Sequence, residues 1–132
     1  MVFPQWPAQP AGTTTPTTKQ AGDAAEALAL QHLQRAGLRL LERNYRTPGR
    51  GGGEIDLIMA APDGTLVFVE VRQRRSAHHG GAAASISATK QRRIVLAAQH
   101  YLLRWRAPPP CRFDVVALEA GSVQWLQGAF EV

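Results

Sequence analysis

The sequence predicts a single α/β domain in which helices flank one mixed β-sheet. The chain has 132 residues, of which 45% are hydrophobic and 19% charged, a composition that supports one globular core. Two segments repeat apolar residues at helical spacing, and the segments that follow each of them have the apolar patterns of strands. Helices interspersed with strands in this way are typical of a sheet with helices packed on it.

The N-terminal region divides into a tail and a helix. Residues 1–19 contain four prolines and five threonines without periodicity, so we expect a disordered tail before a folded domain over 20–132. A helix is predicted over 22–37, with Asp23 as its N-cap. Glu26 falls inside the apolar face of this helix, where a carboxylate costs free energy unless it is compensated. Glu26 therefore indicates either a salt bridge or a functional site at the end of the sheet.

Three strands are predicted to follow the first helix. They cover residues 38–45, 54–60 and 65–72, and the last two form a hairpin through the Pro-Asp-Gly turn at 62–64. The strand at 65–72 is apolar on both faces, which predicts a central strand. The glycine-rich loop at 47–53 lacks the Lys-Ser/Thr ending of a P-loop, so a nucleotide site there is excluded.

The C-terminal part continues with a helix and one or two strands. The helix is predicted over 87–105 and ends before the three prolines at 108–110, and strands are predicted at 112–118 and 123–126. The predicted order is therefore α-β-β-β-α-β, with a short last strand.

Charge indicates a polyanionic partner. The formal net charge is +5, and no acidic residue occurs between positions 71 and 113. Most of the basic residues are arginines, which pair with phosphate oxygens through two hydrogen bonds. We expect DNA phosphates to contact the loop at 49–53, the loop at 74–81 and the start of the second helix, although a merely solvated basic face is the alternative. The residues concerned are Arg50, Arg74, Arg75, Lys90, Arg92 and Arg93.

Several classes of protein are excluded or disfavoured. No apolar run approaches the roughly 18 residues of a membrane span. The single cysteine, Cys111, excludes an internal disulfide and a multi-cysteine zinc site, and no Ser-His-Asp or Cys-His arrangement is visible. The N-terminus lacks the basic and apolar regions of a signal peptide, so we expect a cytoplasmic protein.

The predicted hairpin brings two carboxylates together. A three-residue loop pairs residues whose numbers sum to 126, which places Asp56 opposite Glu70 on one face, with Arg72 two residues further along that face. Like charges at this separation require a proton or a cation between them, and Mg²⁺ or Mn²⁺ with a phosphate would satisfy the pattern. The alternative is a structural ion pair, either Glu70 with Arg112 or Asp56 with Arg72.

Six short segments together resemble a known family. They are Gly-Asp-Ala-Ala-Glu at 22–26, Arg-Asn-Tyr-Arg at 43–46, Gly-Glu-Ile-Asp-Leu-Ile at 53–58, Val-Phe-Val-Glu-Val-Arg at 67–72, Lys-Gln-Arg-Arg-Ile at 90–94 and Arg-Phe-Asp-Val-Val at 112–116. In this order they resemble the bacterial YraN family of small proteins, from about residue 19 to the C-terminus. That family is similar to archaeal Holliday-junction resolvases and to the restriction-endonuclease-like fold.

The resemblance implies a nuclease centre of the PD-(D/E)xK type. Asp56 matches the aspartate of that motif, Glu70 and Arg72 match its (D/E)xK part, and Glu26 matches the acidic residue of the first helix. Two positions depart from the motif, because Ile55 replaces the proline and Arg72 replaces the lysine. An arginine can stabilise charge on a phosphate, but it does not readily give up a proton, so a general-base role is doubtful.

Together these observations predict a Mg²⁺- or Mn²⁺-dependent endonuclease that hydrolyses DNA, with branched or Holliday-junction DNA as the substrate that the resemblance implies. The catalytic residues would be Glu26, Asp56, Glu70 and Arg72, with Asp56 and Glu70 holding the metal. A homodimer is plausible for so small a domain on a branched substrate. The alternatives are a non-catalytic nucleic-acid-binding module on the same fold and a protein-interaction domain.

Overall fold

A computed structural model describes residues 17–74, 86–119 and 121–131, with only the backbone of Arg74. Most of the predicted tail, Arg75 and the greater part of the loop at 74–81 lie outside the described residues. The elements are α1 (Thr18–Arg35), β1 (Arg39–Arg46), β2 (Glu54–Ala60), β3 (Leu66–Arg74), α2 (Ala88–Leu102), β4 (Cys111–Glu119) and β5 (Ser122–Phe130).

The five strands form one mixed sheet in the order β1-β2-β3-β4-β5. Neighbouring strands are antiparallel except β3 and β4, which run parallel because α2 crosses over between them. The predicted α/β class and the order α-β-β-β-α-β are confirmed. The continuous apolar run in β3 is explained by its place as the central strand, covered on both faces.

The two helices pack on opposite faces of the sheet. The α1 cluster joins two residues of the helix to one face of β2, β3 and β4, and the α2 cluster joins four residues of that helix to the other face. The α1 cluster contains Ala29, Leu33, Leu38, Leu57, Met59, Val67, Val69 and Val116. The α2 cluster contains Ile55, Ile58, Leu66, Phe68, Ile94, Ala97, Ala98, Tyr101 and Phe113.

Helix α1 begins four residues earlier than the sequence predicted. Thr17 is the N-cap: its side chain accepts a hydrogen bond from the N–H of Gln20, whose side chain accepts from the N–H of Thr17. This reciprocal capping box satisfies two helix N–H groups, so the prediction of Asp23 as the cap was wrong. Asp23 lies on the exposed side of the helix and pairs with Lys19 at 2.9 Å.

Strand β5 is longer than predicted because a buried carboxylate on β4 binds it. Asp114 is completely buried, and its oxygens accept hydrogen bonds from Trp125 Nε1 at 2.9 Å and from the N–H of Gly128 at 3.0 Å. Arg112 Nε lies 3.1 Å from the same carboxylate. The β4–β5 register shifts at this point, between Phe113 and Val115. Arg112 is therefore the partner of Asp114, and the alternative ion pair of Arg112 with Glu70 is not formed.

Helix α2 approaches the start of β2 very closely. A Cβ placed on Gly53 would overlap the carbonyl oxygen of Arg93 and lie 2.9 Å from the backbone nitrogen of Ala97. Only glycine permits this contact between the two backbones, so Gly53 sets the position of α2 on the sheet.

We expect Gly53→Ala to lower the free energy of unfolding by about 1–3 kcal/mol, because the added methyl group must displace the α2 backbone. Gly22→Ala is the matched control: Gly22 lies in the interior of α1 with open space at its Cβ, and the same change should raise stability by about 0.5–1 kcal/mol. Urea unfolding of both variants measures the two effects. A Gly53→Ala protein as stable as wild type would show that α2 can be moved at little cost.

Candidate functional site

Asp56 lies where strands β2 and β3 separate. The predicted register is confirmed, from the pair of Ala60 with Leu66 to the pair of Leu57 with Val69. The backbone pairing described for the hairpin ends there, one step before Asp56 would meet Glu70. Instead, Asp56 Oδ2 accepts a hydrogen bond of 2.8 Å from the N–H of Val71. A side chain therefore replaces the next pair of backbone contacts and ties the two strands together at this point.

The alternation of side chains along β2 also shifts at Asp56. Leu57 and Met59 belong to the α1 cluster and Ile58 to the α2 cluster, as alternation requires. Ile55 would then be expected on the α1 side, yet it packs in the α2 cluster. The break in alternation lies between Ile55 and Leu57, so the carboxylate of Asp56 lies at the boundary between the two faces of the sheet. Groups from both helices can therefore approach it.

Glu70 is the most unusual group of the site. It is a carboxylate on the central strand with only 3% of its surface exposed. Burial, the charge of Asp56 and a hydrogen bond shared with Asp56 raise the pKa of Glu70 to about 8, although Lys90 and Arg72 act in the opposite direction. Its Oε1 atom has no hydrogen-bond partner among the described residues.

Lys90 brings a positive charge into this site from helix α2. Its Nζ lies 3.6 Å from Glu70 Oε2 and 3.4 Å from Glu54 Oε1, and its side chain is 25% exposed. The sequence analysis placed Lys90 among residues that contact DNA, and it did not predict its proximity to Glu70. The signal was present, because Lys90 precedes the buried Ile94 by four residues and so extends the core-facing stripe of α2.

Glu26 reaches Asp56 from the other helix. Its side chain is 14% exposed and lies 3.9 Å from Arg43, and the amide nitrogen of Asn44, turned towards it, donates to both carboxylate oxygens at 3.2 and 3.3 Å. Burial and the charge of Asp56 raise the pKa of Glu26, against the effect of Arg43. Asn44 has a φ of 50°, a conformation that asparagine tolerates better than most residues. Glu26 therefore forms one of the two predicted arrangements, a salt bridge, and its functional role near Asp56 stays a prediction.

Arg72 continues the site along β3. Its Nε atom is buried and has no hydrogen-bond partner in the described part of the chain. Its charge lowers the pKa of Glu70, so the guanidinium lies close enough to act on that carboxylate. Among the described residues, no ion pair joins Arg72 to Asp56.

The other residues predicted to contact DNA lie on the turn between β1 and β2, on α2 and at the end of β3. Arg50 is exposed on the turn between β1 and β2, and Arg92 is exposed on α2, where it donates to the hydroxyl of Thr89. Arg93 is also exposed, and its Nε donates to the carbonyl of Gly52 at 3.3 Å. Arg74 continues β3, but its side chain is outside the described residues, as is all of Arg75.

The carboxylates of the site fit a hard divalent cation that takes only one or two of its ligands from the protein. Within the described ranges, no group of three or more His, Cys, Asp or Glu side chains is arranged to hold a metal ion. Asp56 and Glu70 nevertheless form a pair of adjacent carboxylates, and Glu70 Oε1 is an unengaged buried oxygen. Magnesium commonly binds one or two carboxylates and completes its shell with water and substrate phosphate. Asp56 and Glu70 would hold such an ion.

A protein-family model covers the residues of the candidate site. The model of UPF0102, described as an uncharacterised protein family, matches residues 25–118. The chain belongs to the UPF0102 family. The resemblance to YraN proteins, which are UPF0102 members, is therefore confirmed. The matched region of this UPF0102 chain contains Glu26, Asp56, Glu70 and Lys90.

Relatives in this UPF0102 family match most of the chain. A UPF0102 protein of Albidiferax ferrireducens is 78% identical over 119 residues, which cover 90% of this chain and 93% of the relative. One from an Acidovorax species is 68% identical over 115 residues, 87% of each protein, and one from Cupriavidus pinatubonensis is 60% identical over 116 residues, 88% of this chain and 89% of the relative. None of the helices in the described part of this UPF0102 chain has the length and apolar character needed to cross a membrane.

Without metal, we expect the UPF0102 protein to lose stability as the pH rises from about 5 to 8. Glu70 keeps its proton in the folded protein up to about pH 8, whereas the unfolded chain releases it near its ordinary pKa of 4.5. Unfolding in this window therefore releases a proton, and a higher pH favours unfolding. Urea unfolding should show a smaller decline with pH in Glu70→Gln than in wild type, with no further difference in slope above about pH 8. The raised pKa of Glu26 accounts for part of the decline that remains.

The exposed carboxylate of Glu42 supplies a control, since Glu42→Gln should retain the decline. Adding Mg²⁺ should reduce the decline, because the ion replaces the proton on Glu70. Calorimetry in two buffers of different ionisation enthalpy should show about one proton released per Mg²⁺ bound at pH 6.5. Identical pH slopes in wild type and Glu70→Gln would contradict this assignment.

Proposed function

We propose that this UPF0102 protein is a metal-dependent endonuclease that hydrolyses phosphodiester bonds of DNA. One observation carries the proposal: two adjacent carboxylates, Asp56 and Glu70, meet at the point where β2 and β3 separate, with the cations Lys90 and Arg72 beside Glu70. An acid pair that needs a cation, next to positive charges available for a phosphate, matches the requirements of phosphodiester hydrolysis.

A bound Mg²⁺ or Mn²⁺ would supply a Lewis acid at the phosphate and would make a nearby water more acidic. Asp56 is well suited to hold the ion, because the N–H of Val71 binds its Oδ2 and restrains the carboxylate. Glu70 contributes its Oε1 atom, and close packing around the central strand limits the rotation of its side chain. These two residues determine where the reacting phosphate lies.

The positive groups of the chain act on the phosphate itself. In hydrolysis the water oxygen bonds to phosphorus, one phosphorus–oxygen bond to a sugar breaks, and a proton passes to the leaving sugar oxygen. Negative charge on the phosphate oxygens shifts during this step, and the fixed cations Arg72 and Lys90 stabilise it at little cost of reorganisation. Arg72 keeps its proton throughout, so its contribution is charge alone.

Glu26 acts as a positioning group on the opposite side of Asp56. Arg43 and Asn44 hold its carboxylate from two directions, and burial together with the charge of Asp56 raises the pKa of Glu26. A carboxylate restrained in this way can accept a hydrogen bond from the attacking water and orient it towards the phosphate.

DNA is the polyanion that we propose as substrate. Arg50 is exposed on the turn before β2, and Arg92 and Arg93 are exposed on α2, the helix that carries Lys90. At these positions they would contact backbone phosphates without reading sequence. Branched DNA of the Holliday-junction type is the proposed structure, and a homodimer would let two sites act on one junction. The proposal places the protein in the cytoplasm, where bacterial DNA lies.

The test is a panel of linear duplex, nicked, branched and single-stranded DNA, incubated with the full chain and Mg²⁺ or Mn²⁺. We expect metal-dependent cleavage by wild type, and at least about a hundredfold loss in Asp56→Asn and Glu70→Gln because metal binding is impaired. DNA binding should persist in both variants. Asp23→Asn, which removes an exposed carboxylate on α1, should cleave as wild type does.

The outcomes separate the alternatives. Salt-dependent DNA binding with no metal-dependent turnover would show a non-catalytic binding module, and the endonuclease proposal would be wrong. Absence of DNA binding at low salt would favour a protein-interaction domain. Cleavage that persists in both carboxylate variants would show that the reaction occurs elsewhere.

Lys90 should affect turnover rather than DNA affinity. We expect Lys90→Met to lower kcat about a hundredfold with little change in KM, because an ammonium beside the reacting phosphate is lost. Lys90→Arg keeps the charge and should recover much of the loss. Single-turnover cleavage and DNA titration of the same variants measure the two effects.

Arg92→Met is the matched control, since it removes one positive charge from the same helix turn at an exposed position. It should weaken DNA binding slightly and leave kcat unchanged. If Lys90→Met and Arg92→Met changed only DNA affinity, and by the same factor, Lys90 would be an ordinary backbone contact.

A further inference from the structure

We call Asp56, Glu70, Lys90 and Arg72 the acid site, and a polar cavity lies next to it. Its volume is about 270 Å³, and it is formed by the turn between β1 and β2 together with α2. Arg46, Thr47, Glu54, Arg93 and the glycines of the turn line it, and we call it the turn pocket. Glu54 is shared with the acid site, because Lys90 pairs with Glu54 and Glu70 simultaneously.

The turn pocket carries an excess of positive charge. Its carboxylate, Glu54, lies between two cations, with Arg46 Nε at 3.4 Å from one oxygen and Lys90 Nζ at 3.4 Å from the other. Arg93 adds a third cation from α2, and its described hydrogen bond uses only Nε. Lys90 does not line the turn pocket and is shared with Glu70, so the lining side chains are two arginines against one carboxylate, a net charge of about +1. The guanidinium groups have further donors in a planar array for an anion.

Backbone atoms of glycines form part of the lining of the turn pocket. Thr47 and Gly53 close the turn, since the N–H of Thr47 donates to the carbonyl of Gly53 and the N–H of Gly53 donates to Thr47 Oγ1 at 2.7 Å. A Cβ on Gly52 would lie 2.5 Å from that same Oγ1, so a side chain is excluded there. Gly49 and Gly51 have positive φ and open space at the position of a Cβ.

The amide groups of this turn are available to a ligand. The hydrogen bonds described for the turn involve the N–H groups of Thr47 and Gly53, and none uses the N–H of Gly49, Gly51 or Gly52. Successive amide groups in a turn with positive φ form concave sites that bind anions. The amides and the arginine side chains therefore offer complementary donors around one small volume.

We propose that the turn pocket binds a phosphate group, and that in the DNA complex it holds a backbone phosphate near the one at the acid site. The second half of this statement rests on the proposed function. Phosphate fits better than a carboxylate, because its tetrahedral oxygens can accept from the guanidinium of Arg46, from Arg93 and from the turn amides at once. Holding a second phosphate would fix the direction in which the DNA backbone crosses Asp56 and Glu70.

Titration of the full chain with inorganic phosphate, without metal or DNA, tests the pocket directly. We expect saturable binding, with shifts of the amide resonances of Gly51 and Gly52 in NMR spectra. The double variant Arg46→Ala/Arg93→Ala should weaken binding at least about tenfold. Arg35→Ala/Arg39→Ala removes the same charge from exposed sites at the far ends of α1 and β1 and should change it less than about twofold.

A second pair of variants leaves both arginines in place. Gly51 has a φ of 68°, which asparagine and aspartate tolerate, and its Cβ position is open. Gly51→Asp adds a negative charge to the turn pocket and should abolish phosphate binding. Gly51→Asn has nearly the same shape without the charge and should retain it within about threefold.

DNA binding distinguishes the two sources of phosphate. For a duplex of 20 base pairs, Arg46→Ala/Arg93→Ala should reduce the slope of log affinity against log salt by about one, since about 0.9 is lost per phosphate contact and the turn pocket holds one phosphate. The proposal that the turn pocket binds phosphate would be overturned if the wild-type protein showed no saturable phosphate binding. It would also be overturned if Arg46→Ala/Arg93→Ala and Arg35→Ala/Arg39→Ala bound phosphate with equal affinity. Phosphate binding without DNA binding would leave the pocket established and would refute the proposed nuclease instead. DNA cleavage with an unchanged salt slope in the double variant would refute the pocket's role on DNA and leave the nuclease intact.

Discussion

Glu70 lies on the central strand, almost completely removed from water, beside the carboxylate of Asp56. Two negative charges cannot be held there without compensation, because neither solvent nor a strand neighbour neutralises them. Lys90 and Arg72 provide part of the compensation, yet the pKa of Glu70 still rises to about 8. A proton therefore occupies the pair at neutral pH unless another cation replaces it. The rest of the site is arranged around this requirement.

The two helices contribute to the site from opposite faces of the sheet. Helix α1 carries Glu26 towards Asp56, and α2 carries Lys90 towards Glu70. Groups from both helices can act on the Asp56–Glu70 pair because the pairing of β2 with β3 ends at Asp56, so the sheet does not isolate one face from the other there. The close contact of Gly53 with the α2 backbone sets the depth at which Lys90 enters. The packing of α2 against the start of β2 thus contributes to the charge balance of the acid pair.

Much of this arrangement could be predicted from local patterns. The hairpin register followed from the Pro-Asp-Gly turn, and the placement of Asp56 near Glu70 followed from that register. Glu26 was conspicuous because it interrupts an apolar helical face. Two elements were predicted less well. Thr17 and Gln20 form a capping box that starts α1 early, and β5 is extended because it binds Asp114, a tertiary contact that the alternation of β5 does not reveal.

The sequence alone determined the order of the elements, the hairpin register and the family. These depend on periodicity and turn chemistry, which act over a few neighbouring residues. Only the tertiary structure decided which cation meets which carboxylate: Lys90 with Glu54 and Glu70, Arg112 with Asp114 and Arg43 with Glu26. The reason is physical, since an ion pair depends on separations of a few ångströms between side chains on different elements. Those separations are set by how closely the helices pack on the sheet, and local periodicity does not encode them.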